Sequence, residues 1–171
     1  MRSVSVLLLF LMVTALSAPA AGAIDTAPAP GKYAPPVELQ DLSGKTIKLS
    51  DYRGKVVLLN FWSTLCAPCT AELPSLSRLA VLFKDADFAV LTVSIDASDK
   101  PVREFIEAHK LALTVLRDGE KEVFFDQYAG PLLPATYLID RNGIIVEIVA
   151  NSREWDSAGA QDLILKLLKK R

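Results

Sequence analysis

The sequence predicts an α/β domain: a central mixed sheet flanked by helices, with a small β-hairpin at its N-terminal side. Three observations carry this expectation. Residues 56–62 (VVLLNFW) are a nearly unbroken apolar, β-branched and aromatic run, as in a strand covered on both faces. After it, strand-like and helix-like patterns alternate, which implies a sheet with helices packed on it. Near the end, Asp140-Arg141-Asn142-Gly143 separates two apolar runs. Asn-Gly is a strong hairpin signal, so those two strands should pair antiparallel and make the sheet mixed.

Val37–Leu39 and Thr46–Lys48 read as short strands joined by the turn-rich Asp41-Leu42-Ser43-Gly44. Arg53-Gly54-Lys55 bounds the central strand. Ala67–Lys84 carries Leu76, Leu79, Ala80 and Phe83 at i, i+3, i+4 and i+7, the spacing of an amphipathic helix. Phe88–Ile95 is a second buried strand, and Pro101–Leu111 a helix with Val102, Phe105, Ile106 and His109 on its faces. Thr114–Leu116 is a brief strand and Glu120–Tyr128 a short helix. Thr136–Ile139 and Ile144–Val149 form the hairpin, and Leu163–Leu168 lie on a last helix.

The chain has 171 residues, of which 51% are apolar, enough for one compact domain with a sizeable core. Its 19 Lys+Arg against 20 Asp+Glu exclude the basic excess that nucleic-acid binding requires. Lys169-Lys170-Arg171 is accounted for by a helix C-terminus, whose dipole favours cations. The first residues read as an export signal: Arg2, an apolar run Val4–Leu16 and an Ala21-Gly22-Ala23 cleavage site. That run is short of the ~20 residues a bilayer span needs, so removal is expected rather than anchoring. The expected division is a signal peptide (or uncleaved anchor) over 1–23, a Pro/Ala-rich leader over 24–36 and the domain over 37–171. Location outside the cytoplasm, in the periplasm or an equivalent compartment, follows.

The two cysteines are Cys66 and Cys69 in Cys66-Ala67-Pro68-Cys69. A structural disulfide stabilises mostly by closing a long loop, and this one closes a very short loop. The pair is therefore there to react. It lies between a buried strand and a helix, so Cys66 sits at or just before the helix N-terminus, where unpaired N–H groups and the dipole favour the thiolate. Cys69, one turn on, is placed to resolve a mixed disulfide formed at Cys66. Pro68 falls in the first turn, where its missing N–H costs nothing.

With these residues in place, the stretch Asn60-Phe61-Trp62-Ser63-Thr64-Leu65-Cys66-Ala67-Pro68-Cys69 resembles the active-site segment of the thioredoxin superfamily. It is most similar to the exported TlpA/ResA/CcmG branch. The likeness runs from about Tyr33 to Lys169. It includes Ala34-Pro35-Pro36, Leu49-Ser50-Asp51-Tyr52-Arg53-Gly54-Lys55 and Thr136-Tyr137-Leu138-Ile139-Asp140-Arg141-Asn142-Gly143. The resemblance implies a thioredoxin-like fold and a thiol–disulfide oxidoreductase. It implies a cis Pro134 facing the disulfide, with Leu133 offering backbone groups to an extended substrate, and Trp62 and Pro68 shaping the site. Pro74 matches a proline that kinks the active-site helix. Glu72 matches an acidic residue beneath the active site, expected to exchange a proton with Cys69; a solvent-facing carboxylate is the alternative reading. Asn60 occupies the position where thioredoxins usually carry a buried Asp.

Two departures bear on partners: Leu65 replaces the usual Trp before the first cysteine, and Ala135 follows Pro134. The resemblance further implies reduction of protein disulfides, apocytochrome c among the clients, with a membrane thiol donor restoring the dithiol. The expected protein is a monomer without a cofactor beyond the Cys66–Cys69 disulfide, and without a metal. A disulfide-forming oxidant, a peroxiredoxin-like peroxidase and a non-catalytic metal-binding module are the competing readings. His109, the single histidine, is read as a helix residue remote from the site. Trp155 with Arg153-Glu154, and Phe124, Phe125 and Tyr128, are read as packing.

Overall fold

The computed structural model describes residues 27–170 apart from Ala129 and Pro131. The export signal and the first residues of the leader lie outside these. The elements are β1 (Glu38–Gln40), β2 (Thr46–Lys48), β3 (Val56–Trp62), α1 (Ala67–Leu82), β4 (Phe88–Ser94), α2 (Asp99–Ala108), β5 (Thr114–Arg117), β6 (Ala135–Ile139), β7 (Ile145–Val149) and α3 (Ala158–Lys169). Short helical turns cover Leu49–Tyr52 and Val123–Gln127. Among the described residues, no helix is long and apolar enough to cross a membrane.

The main sheet has the order β5-β4-β3-β6-β7. Strand β3 is its centre and all seven of its residues are buried. It pairs parallel with β4 and antiparallel with β6, with Phe61 opposite Ala135. One face packs on Phe61, Phe124, Tyr128 and Tyr137; the other packs α1 and α3 through Trp62, Leu73, Leu76, Trp155 and Ile164. The β1–β2 hairpin forms a separate two-stranded sheet, tied to the edge strand β5 through Asp41 and Leu116.

The Asn142-Gly143 signal is realised as the β6–β7 hairpin. Asp140 accepts from the amides of Asn142 (2.9 Å) and Ile144 (3.0 Å), and Gly143 takes φ = +81°. A side chain there would be strained and would collide with the Arg53 guanidinium. The helix expected over 120–128 is shorter, a single wide turn over Val123–Gln127. The buried Asp118 carboxylate accepts from the amides of Val123 (3.3 Å) and Phe124 (2.8 Å), which fixes where the turn begins. Phe124 and Tyr128 enter the core as expected, but Phe125 is 53% exposed, because this wide turn sets it on the outer side.

Leu76 is fully buried on α1 against the sheet. Leu76→Ala should lower stability by about 2–5 kcal/mol in denaturant unfolding, the cost of a cavity in a close-packed core.

Candidate active site

β3 ends at Trp62, and the chain turns through Ser63-Thr64-Leu65 into α1. Cys66 is the N-cap of α1, in extended geometry (φ −100°, ψ 100°), and its carbonyl accepts the first helical bond from Thr70 at 3.0 Å. Its sulfur accepts from the Cys69 amide at 3.3 Å. The helix mouth thus points a backbone N–H at Cys66 Sγ, an arrangement that favours the thiolate when the pair is reduced. The two cysteines form a disulfide, with Cα atoms 5.2 Å apart. Cys66 is half-buried and Cys69 fully buried, so an incoming sulfur reaches Cys66 first. Pro68 is exposed in the first turn, and Pro74 lies inside α1, as expected.

The turn before Cys66 is held from below by Asp96, just past the end of β4. Its carboxylate accepts from the hydroxyls of Ser63 (3.0 Å), Thr64 (2.7 Å) and Ser94 (2.7 Å) and from the Thr64 amide (3.0 Å). Burial pushes the Asp96 pKa up, but these donors outweigh it and hold the carboxyl below its ordinary value. Sequence reasoning missed Asp96. The available signal was a carboxylate just past the C-terminal end of a strand that should lie beside β3.

The Leu133–Pro134 bond is cis. Because Ala135 is opposite Phe61, the residues just before β6 come up beside the end of β3. Leu133 is half-buried and packs against both halves of the core. Trp62 is fully buried, with its ring 5.9 Å from that of Phe105, so its part is structural and it offers no surface to a substrate. The exposed residues that flank Cys66 in the chain carry no charge: Leu65 is 94% exposed, and Ala67 and Pro68 are also open to solvent; Leu132, ahead of the cis-proline, is 64% exposed.

Glu72 lies on the inward face of α1 with Cys69 and is only 2% exposed, which overturns the solvent-facing alternative. Its Oε1 accepts from Asn60 Nδ2 at 2.8 Å. Its Oε2 accepts from the Arg153 amide at 2.9 Å and from Trp155 Nε1 at 3.2 Å. Asn60 also donates to Thr136 Oγ1 at 2.8 Å. Burial raises the Glu72 pKa, and the bonds from Arg153, Asn60 and Trp155 only partly oppose that rise. A buried carboxyl shifted toward neutrality is suited to receive and return a proton. Arg153 and Trp155, expected only to pack, are therefore part of the site. His109 ends α2, exposed and stacked on Phe105 at 4.1 Å. Among the described residues, no three His, Cys, Asp or Glu side chains gather as metal ligands would.

A sheet that carries a dithiol to the mouth of a helix, opposite a cis-proline, defines a thiol–disulfide oxidoreductase of the thioredoxin fold, and this chain is of that class. The AhpC/TSA family pattern matches residues 30–148, and the chain belongs to that family. It is 39% identical to a thiol-disulfide oxidoreductase ResA of Geobacillus kaustophilus over 127 residues, 74% of this chain and 72% of that one. A Chlorobium tepidum structure bearing the name thiol:disulfide interchange protein DsbE superposes with a TM-score of 0.76 at 30% identity, covering 83% of this chain and 99% of its own. The thioredoxin domain of a Bacteroides vulgatus thiol-disulfide oxidoreductase does so with a TM-score of 0.72 at 27% identity, covering 82% and 99%.

Asp96 contributes stability as a carboxylate, fully present above its ordinary value of 3.8 and lost as pH falls through its lowered folded-state value. The stability difference between wild type and Asp96→Asn should therefore shrink on acidification below 3.8. Urea unfolding across that range checks it; a constant difference would contradict the assignment.

Proposed function

We propose that the protein is an exported reductase of protein disulfides. The observation that carries the reading is the asymmetry of the pair: Cys66 half-buried at a helix N-cap, Cys69 fully buried beside a buried carboxyl. Cys66, as thiolate, attacks one sulfur of a substrate disulfide. A mixed disulfide forms and the substrate's other sulfur leaves as a thiolate. Cys69 then gives its proton to the Glu72 carboxylate as its sulfur attacks Cys66 Sγ. The Cys66–Cys69 disulfide closes, and the substrate's second sulfur departs. Two electrons have passed to the substrate, and a thiol donor at the membrane restores the dithiol.

Leu133, preceding Pro134, receives the substrate backbone, and the uncharged rim of Leu65 and Leu132 favours apolar residues beside the substrate cysteine. Apocytochrome c is the client class implied by the resemblance to the TlpA/ResA/CcmG branch. The periplasm or an equivalent compartment is the location, supported by the N-terminal export pattern. The domain acts as a monomer, with no cofactor beyond its own disulfide.

Cys69→Ser should trap the client as a mixed disulfide on Cys66, identifiable by mass spectrometry after non-reducing electrophoresis. Potentials in this fold run from about −270 to about −120 mV, and a reductase belongs toward the negative end. A glutathione titration returning a value at the oxidising end would transfer the assignment to a disulfide-forming oxidant.

Glu72→Gln should remove a rise in the rate of the resolution step with pH. In the wild type that rise lies above 4.5, because the folded-state value is raised. Below it the carboxyl is protonated and cannot accept from Cys69. An unchanged profile would reject the proton role.

A further inference from the structure

The connector between β7 and α3 is bound to the active-site helix at the carboxyl under the dithiol. Besides the two bonds to Glu72 Oε2, the Trp155 amide donates to Ser75 Oγ at 3.0 Å, and Ser75 Oγ donates to the Glu72 carbonyl at 2.8 Å. The fully buried indole is thus fixed at its backbone as well as at its N–H. A charge in a low-dielectric interior depends on the donors aimed at it, and bonds to a carboxylate are stronger than neutral ones. Of the three donors to Glu72, one is a main-chain amide and one, Asn60, also serves Thr136. The indole N–H serves Glu72 alone.

The surroundings of Glu72 hold few other charges that could set its behaviour. Asn60 faces it from β3 and is neutral, as is Thr136 of β6, to which Asn60 also donates; Cys69 shares its helix face. On the connector, the Arg153 guanidinium lies 5.2 Å from the centre of the Trp155 ring and pairs with Glu147 of β7 at 3.3 Å. Glu154 and Asp156 are engaged by Arg78 of α1, at 3.7 and 2.5 Å.

We propose that Trp155 is a positioning residue for the exchange reaction: its indole N–H holds the Glu72 carboxylate in the orientation and charge state that receives the Cys69 proton. The inference rests on the proton role given to Glu72 above. Trp155 touches neither substrate nor sulfur in this scheme, and acts through Glu72 alone.

The test follows the reduced protein reacting with a chromogenic aromatic disulfide. Attack by Cys66 releases one aromatic thiolate, and resolution by Cys69 releases the second, so the second phase reports proton transfer from Cys69. Trp155→Phe should move the pH midpoint of that phase upward by about one unit, the effect expected for one lost bond to a carboxylate. In a Glu72→Gln background, Trp155→Phe should change nothing further in the profile. If Glu72→Gln abolishes the midpoint but Trp155→Phe leaves it in place, this inference fails and the Glu72 role stands. If Glu72→Gln leaves the profile unaltered, the Glu72 role itself fails. A shift by Trp155→Phe that persists without Glu72 would mark general loosening and overturn the inference. The unmutated protein supplies a second measurement that needs no folded variant. The Trp155 indole N–H resonance should titrate with Glu72 in the wild type and stay fixed in Glu72→Gln; a resonance that does not move in the wild type overturns the inference.

Discussion

The structure depends on β3 running through the middle of the sheet. A strand buried on both faces has little freedom of register, because a one-residue slip would exchange its two sets of side chains between two different cores. Here those sets are Val57, Leu59 and Phe61 on one side and Val56, Leu58 and Trp62 on the other. With the register fixed, everything attached to the end of β3 is fixed too. The strand delivers Cys66 to the mouth of α1, its pairing with β6 brings Pro134 alongside, and its pairing with β4 places Asp96 under the intervening turn.

The same strand carries the polar residue that begins the buried network. Asn60, between Leu59 and Phe61 in the chain and opposite Thr92 and Thr136 in the sheet, donates through its amide to Glu72 and Thr136. Burying a carboxyl disfavours its charged form, and hydrogen-bond donors favour it. At Glu72 burial prevails, but the donors from β3 and the β7–α3 connector keep the charged form within reach. At Asp96, with more donors and a shallower position, the balance falls the other way. Two carboxyls near one disulfide are thereby pushed in opposite directions. One is a permanent anchor for the turn, while the other is suited to gaining and losing a proton.

Around this polar interior the rim is plain. Leu65, next to Cys66 in the chain, stands in solvent, Leu132 is exposed ahead of the cis-proline, and the segments that flank the disulfide in sequence carry no charged side chains.

Much of this was legible in the chain because it is locally encoded. The unbroken apolar run of β3, the helical spacing of Leu76 and Leu79, the Asn142-Gly143 turn and the placement of Cys66 and Cys69 between strand and helix each depend on neighbours within a few residues. Together they determined the fold class, the order of elements and the reactive pair. Glu72 and Pro134 were legible only through resemblance, since nothing local says that a helix glutamate is buried or that a proline bond is cis. What the tertiary structure alone decided was the company these residues keep. Asp96 lies 32 residues from Thr64, and Arg153 and Trp155 lie 81 and 83 residues from Glu72. Contacts at such separations leave no periodicity in the sequence. They arise when the sheet order brings distant segments together, and the proton affinity of a buried carboxyl is set by how deeply that packing buries it and by the donors it aims there.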